Sequence, residues 1–210
     1  MLSANVARSS DVARPAPVRW RAGLLAAGES DFRSEKSRAS YHRCMSRIGD
    51  FADDDVAGWI ALSPEIGKAM AAYSHAVYNR NRLPMRVREI ARIVIAHDNE
   101  CVVCVNTRDA DGPLAGVDED LYDHALQWRT WPGFTEQERL AAEFAHRFAT
   151  EHTRLRDDEA FWQRCHEHFS DELLADLTLS CAMWVAMGRT LRTLDIGQAC
   201  RITLPSRGGA

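Results

Sequence analysis

Two cysteines three residues apart, Cys101 and Cys104, are the side chains of this sequence best suited to covalent chemistry. On a helix, thiols at that spacing share a face and reach one another, so they can close a disulfide and open it again. The reactive species is the thiolate, which a helix N-terminus or a neighbouring arginine favours, while a nearby carboxylate can take the thiol proton. Oxidation of one thiol to a sulfenic acid, followed by condensation with the other, gives a disulfide. Peroxide reduction and thiol–disulfide exchange both fit such a pair. The charged groups that folding can bring to it are Glu89 and Arg108, and His97 stands four residues before Cys101.

To bring them together the chain needs a helical hairpin. Leu83-Pro84 starts a helix in which Val87, Ile90, Ala91, Ile93, Val94, Ile95 and Ala96 are apolar on nearly all sides, which places it at the centre of the fold. His97-Asp98-Asn99-Glu100 breaks the apolar run, and Asp98 or Asn99 caps a short helix carrying both cysteines. Residues 109–116, with two glycines and Pro113, close it. In an antiparallel hairpin of this length, facing residues have numbers summing to about 197, so Glu89 falls level with Arg108. Arg108 then stands one turn beyond Cys104, and the site comprises two thiols, a carboxylate and a guanidinium. Glu89 with Arg108 reads equally as a structural ion pair. His97 is near enough to relay a proton, although a histidine at a helix end commonly serves only as a solvated C-terminal cation.

The rest of the chain also reads as helices. Ser63 caps one with Pro64 at its first position and Ile66, Met70, Tyr73 and Val77 at helical spacing. Asp118 or Glu119 opens another through Leu121, Ala125 and Trp128, stopped by Trp131-Pro132-Gly133. Thr135 and Glu138 form a capping box ahead of Leu140, Phe144 and Phe148. A helix follows over 157–169, and Ser170-Asp171-Glu172 begins a long one with Leu173, Leu174, Leu177, Cys181, Trp184, Val185 and Gly188 in one stripe. Residues 34–48 have helical composition with a weak stripe. No stretch alternates with period two, and the fold class is all-α. Residues 1–17, rich in Ala, Ser and Arg, read as a disordered tail or, more weakly, a transit segment; 18–203 form one helical domain; 204–210 fray.

Composition excludes several functions. A chain of 210 residues with 46% apolar side chains can bury one proper core. A net charge of −4 without a dense Lys/Arg run argues against a nucleic-acid partner. No apolar run approaches the roughly 20 residues that cross a bilayer, and no apolar signal core is present, so no membrane partner and a cytoplasmic location are expected. Cys44, Cys165, Cys181 and Cys200 are too scattered for a disulfide scaffold and read as small buried hydrophobes. Cys165-His166-Glu167-His168 is the best candidate for the second half of a zinc site, but its histidines fall on different helix faces, so no metal is expected. His42, His75, His124, His146, His152 and the six tryptophans read as surface or packing residues. Phosphate loops, a GxSxG elbow and HExxH are absent, and no cofactor is expected.

The run Leu83-Pro84-Met85-Arg86-Val87-Arg88-Glu89-Ile90, the twelve-residue step from Glu89 to Cys101, and Cys101-Val102-Val103-Cys104 together resemble the carboxymuconolactone decarboxylase family, in its AhpD-like alkylhydroperoxidase branch. The resemblance spans residues 62–108, and the C-terminal helices are compatible with it. It implies one all-helical domain with the CxxC on a central hairpin, assembled into homo-oligomers, trimers or hexamers. It also implies a peroxidase that reduces an organic hydroperoxide substrate through the dithiol and is re-reduced by an external dithiol system such as a lipoyl-carrying protein. By position it implies that Cys104 attacks, Cys101 resolves and Glu89 relays protons. The helix dipole by itself favours Cys101 as the more acidic thiol.

Where the peroxidase branch has a histidine four residues after the second cysteine, this chain has Arg108; where some members have one inside the CxxC, it has Val103. Arginine holds a thiolate but does not shuttle protons near neutral pH, so the relay runs through Glu89 alone or through His97, or turnover is slow. Two further readings remain: a lyase of the decarboxylase type, with Arg108 binding the carboxylate of a lactone, and a non-enzymatic redox sensor whose disulfide alters oligomeric contacts.

Overall fold

A computed structural model of the chain describes residues 46–51, 55–197 and 203–207. The expected N-terminal tail, most of the helix anticipated over 34–48, and His42, Cys44 and Cys200 lie outside these residues; the described end of that stretch, residues 46–48, is irregular.

Helix α1, Pro64–Asn79, opens with proline at its first position, where the missing N–H costs no hydrogen bond. Ser63 precedes it without a side-chain cap. Its anticipated stripe is only partly used: Val77 is buried, whereas Ile66 is 67% exposed. Helix α2, Met85–Asp98, is the axis of the fold. Every residue from Val87 to Ala96 is buried, as its all-round apolar pattern requires. Helix α3, Val102–Asn106, carries the second cysteine and turns back against α2.

Strand β1, Arg108–Asp109, follows directly, then a 3-10 turn at Pro113–Ala115. Asp118 caps α4, Glu119–Asp123, by accepting the Leu121 N–H. The single helix expected through Trp128 is instead broken at His124, and a 3-10 turn covers Ala125–Gln127.

The C-terminal half forms the wall around α2. Helix α5, Glu136–Thr150, begins with the anticipated capping box: Thr135 Oγ1 accepts the Glu138 N–H at 3.2 Å, and Glu138 Oε2 accepts the Thr135 N–H at 2.8 Å. Glu138 Oε1 also accepts from Arg86 Nε at 2.7 Å, which ties the start of α5 to the start of α2. Helix α7, Glu159–His168, capped by Asp158, is the helix expected over 157–169, and a short helix α6, His152–Arg156, precedes it. Helix α8, Asp171–Leu194, is capped by Ser170 and is the longest helix among the described residues. The axial helix α2 packs chiefly on α5 and then on α8, where Ile90, Ile93, Ile95, Leu140, Phe144 and Leu177 are sealed from solvent. Each such side chain contributes about 1.5–3 kcal/mol.

Among the described residues the fold is all-α with one small exception that periodicity could not reveal. Strand β2, Thr203–Leu204, pairs in parallel with β1, Arg108 with Thr203 and Asp109 with Leu204. The tail expected to fray from Leu204 is therefore held through Arg207. Its anchors are distant side chains, Asp109 and Asp111, rather than any local pattern.

Candidate active site

The turn that presents the dithiol comes from how α2 ends. Asn99 is its C-cap, Glu100 takes φ 52 in the left-handed region, the Cys101 N–H bonds the Ala96 carbonyl at 3.1 Å, and the Glu100 N–H bonds His97 at 2.9 Å. These two bonds are the Schellman closure, which satisfies the last carbonyls of one helix and reverses the chain. Neither Asp98 nor Asn99 caps α3, contrary to expectation. Cys101 itself occupies that position. The Asn99 amide instead reaches α8, donating to the Trp184 carbonyl at 3.1 Å, and Gly188 leaves room for it, since a Cβ there would collide with that amide. Cys101 and Cys104 are joined as a disulfide across a Cα separation of 5.2 Å. Cys101 is fully buried and Cys104 is half-exposed, so Cys104 is the sulfur open to an incoming molecule.

Behind the dithiol lies a buried ionic cluster. Glu89 is wholly buried; its Oε2 accepts from Arg92 Nε at 2.8 Å and from the Tyr122 hydroxyl at 3.2 Å, and its Oε1 from Arg88 Nη2 at 3.3 Å. Arg92 spans the gap to the thiol helix. Its Nη1 donates to the Cys104 carbonyl at 2.6 Å and its Nη2 to the Thr107 carbonyl at 3.0 Å. Burial of Arg92 opposes its charge, but the Glu89 carboxylate, helped by Tyr78 and Tyr122, raises its pKa above the ordinary arginine value. Arg88 donates to Asp109 at 2.5 Å, a pair whose numbers also sum to 197, so the hairpin register inferred from sequence is realised one residue from the pair anticipated. Burial and the Glu89 charge together push the Tyr122 hydroxyl well above the usual tyrosine pKa, keeping it a donor.

Arg108 does not pair with Glu89. The short helix stops at Asn106 because Thr107 is extended (φ −73, ψ 134), its hydroxyl bonding the Val103 carbonyl at 2.7 Å, so Arg108 leaves on β1 rather than one helical turn past Cys104. Its guanidinium lies 3.7 Å over the Tyr122 ring, binds Glu119 through two 3.0 Å bonds, and donates to the Val105 and Thr107 carbonyls. It touches Glu89 only through Tyr122. His97 is half-buried at the end of α2, its pKa lowered by burial, with Asp98 opposing and Arg92 reinforcing the shift. Next to it, Asp98 has both carboxylate oxygens 3.1 Å from His146 Nδ1, and burial raises its pKa against the pull of His146.

Sequence reasoning missed Arg88, Arg92, Asp109 and Tyr122. The signal for the first two was present: two arginines inside a helix apolar on all sides must be buried and must find partners. Tyr122 had none, because its contact with Glu89 spans 33 positions.

A cavity of about 190 Å³ opens beside the dithiol. Cys104, Arg92 and Thr107 are among its lining residues, and Ile95, Met183, Met187, Leu191 and Leu204 make much of the rest apolar. Among the described residues no group of His, Cys, Asp and Glu could hold a metal ion, and no helix is long and apolar enough to cross a membrane. Cys165 and Cys181 are free and buried, and burial pushes the Cys165 thiol up to about 12, which leaves it unreactive.

No curated protein matches this chain by sequence. Among solved structures it is similar to a protein of unknown function from Agrobacterium tumefaciens that carries the antioxidant defence protein AhpD as a provisional label. The two share 19% identity at a TM-score of 0.58, over 77% of this chain and 99% of that one. It is also similar to the alkylhydroperoxidase AhpD core of an uncharacterised peroxidase-related protein from Ralstonia eutropha, at 20% identity and a TM-score of 0.53, over 68% of this chain and 80% of that one. These likenesses establish the AhpD-like fold. The family model for carboxymuconolactone decarboxylases matches residues 64–147, a stretch holding the dithiol and every residue of the cluster behind it, so over that stretch the chain is similar to that family, with the AhpD-like fold.

Proposed function

We propose that the chain is a thiol-dependent peroxidase that reduces organic hydroperoxides at the Cys101–Cys104 dithiol. The observation that carries this reading is the asymmetry of the pair: Cys101 is sealed, while Cys104 lines an apolar cavity with the Glu89 and Arg92 pair directly behind its carbonyl. In the reduced protein, Glu89 takes the Cys104 proton. The Cys104 thiolate attacks the terminal oxygen of the hydroperoxide; the O–O bond breaks, the alkoxide leaves with a proton as the alcohol, and Cys104 becomes a sulfenic acid. The Cys101 thiol then attacks the sulfenic sulfur, forming the disulfide and releasing water. An external dithiol returns two electrons and two protons, a role a lipoyl-carrying protein would fill.

Arg92 holds the carbonyl end of α3 and keeps Cys104 positioned, and Arg108 acts through Tyr122, which orients Glu89. His97 stands near enough to Arg92 for its charge to register, and is the remaining titratable candidate for the relay. Assembly into a homo-oligomer belongs to the same reading.

The test is peroxide consumption by the reduced protein with simultaneous loss of two titratable thiols. Full turnover by Cys104→Ser would end this reading. Disulfide formation that alters assembly without turnover would favour a redox sensor. The lyase reading loses support because the Arg108 guanidinium is already engaged on all three nitrogens.

A further inference from the structure

The C-terminal strand reaches the dithiol cavity from outside the hairpin. Leu204 lines that cavity together with Cys104, and its backbone is clipped beside the end of the thiol helix by the pairing of β2 with β1 and by the Ala110 N–H, which donates to the Leu204 carbonyl at 3.1 Å. Beyond Leu204 the segment is latched by side chains rather than by core packing. The Arg207 N–H donates to Asp111 Oδ2 at 2.7 Å, Arg207 Nη2 donates to Asp109 Oδ2 at 2.9 Å, and Ser206 Oγ donates to Asp111 Oδ1. Apart from Leu204 the segment is exposed, so the strap is a two-strand clip and a charge latch with almost no buried apolar area. Such a segment opens locally at far lower cost than the helices it covers.

We propose that residues 203–207 form a strap whose closed position sets the size of molecule that reaches Cys104, with Leu204 as the specificity-determining wall and Arg207 on Asp109 and Asp111 as the latch. Closed, it admits slender apolar molecules into the cavity; a bulky reactant enters only when the latch opens. The inference rests on Cys104 being the attacking thiol, and its test does not use peroxide turnover.

The test compares two alkylating probes on the reduced full-length protein, iodoacetamide as the slender one and fluorescein maleimide as the bulky one, with modification of Cys104 followed by peptide mass spectrometry. Arg207→Ala, which removes the ion pair to Asp109, and Asp111→Asn, which weakens the bonds from the Ser206 hydroxyl and the Arg207 N–H, are each expected to speed the bulky probe about fivefold while leaving iodoacetamide nearly unchanged. Leu204→Trp is expected to slow the bulky probe. In the unmutated protein, raised salt should speed the bulky probe selectively, because it screens the latch. An unchanged ratio of the two rates in both latch variants overturns the strap, as does an equal rise for both probes, which would be general loosening. Selective gating in a protein inert to hydroperoxides would retain the strap and remove the proposed activity, so the two can fail separately.

Discussion

Two carboxylates near the dithiol pair with arginines, and they do so in opposite environments. Glu89 has no exposed side-chain surface and meets Arg88, Arg92 and a tyrosine hydroxyl. Glu119 meets Arg108 with ideal two-bond geometry, yet its side chain is 59% exposed. Removing one member of a buried cluster strands a charge away from water, whereas removing one member of an exposed pair lets water replace it. The better-looking pair is therefore the weaker, and the cluster that positions Cys104 is the one the fold cannot lose.

The largest expected effect comes from breaking the buried side. Arg92→Met removes the shortest donor to the buried Glu89 and the guanidinium bonds to the Cys104 and Thr107 carbonyls, and should lower stability by about 3–5 kcal/mol in urea unfolding. Glu89→Gln keeps the shape but removes the carboxylate that faces Arg92, while Arg88 keeps Asp109. It should lower kcat for an organic hydroperoxide by about 10²–10³ if the carboxylate is the base. A kcat within twofold of the unmutated protein would remove Glu89 from the chemistry and leave it structural.

Tyr122→Phe deletes one hydrogen bond to Glu89 and should cost about 1 kcal/mol, with a measurable shift in the pH profile of thiol alkylation. Glu119→Gln should cost under about 1 kcal/mol, and less as salt is added. If it matched Glu89→Gln, the contrast between the two environments would fail.

The smallest effect concerns His97, whose pKa burial lowers from 6.5, with Asp98 opposing and Arg92 assisting. Above 6.5 the folded and unfolded chains are both neutral at this residue. As pH falls below that value, the unfolded chain takes up a proton that the folded chain refuses, so stability declines until the lowered folded pKa is passed. His97→Asn should flatten that slope, as read from urea midpoints on either side of the window. A slope unchanged by the substitution would place the acid sensitivity elsewhere, with the Asp98 and His146 pair as the next residues to change.

Much of this was legible in order. The all-round apolar run of α2 announced a central helix, the Thr135 and Glu138 spacing announced the capping box, and both are realised because they depend on residues within a turn or two. The hairpin register was legible too, since it follows from the length of the connection. Arg108 was misplaced because the reading continued α3 past Asn106; whether a helix survives one more turn depends on Thr107, which is extended and held by Arg92. The stripe of α1 was legible as one face of a helix, but periodicity reports which residues share a face, not whether anything covers it, and Ile66 stays exposed.

By itself the sequence determined the dithiol, its helical setting and the carboxylate one hairpin arm away, because these rest on short-range spacing and on the number of residues in a turn. Only the tertiary structure decided which arginines hold Glu89, that Tyr122 completes its shell, that Cys101 is sealed while Cys104 is open, and that the chain's end returns to wall the cavity. Those contacts join residues up to 98 positions apart, and burial, which sets the weight of each charge, is a property of the packed core and not of any stretch of chain.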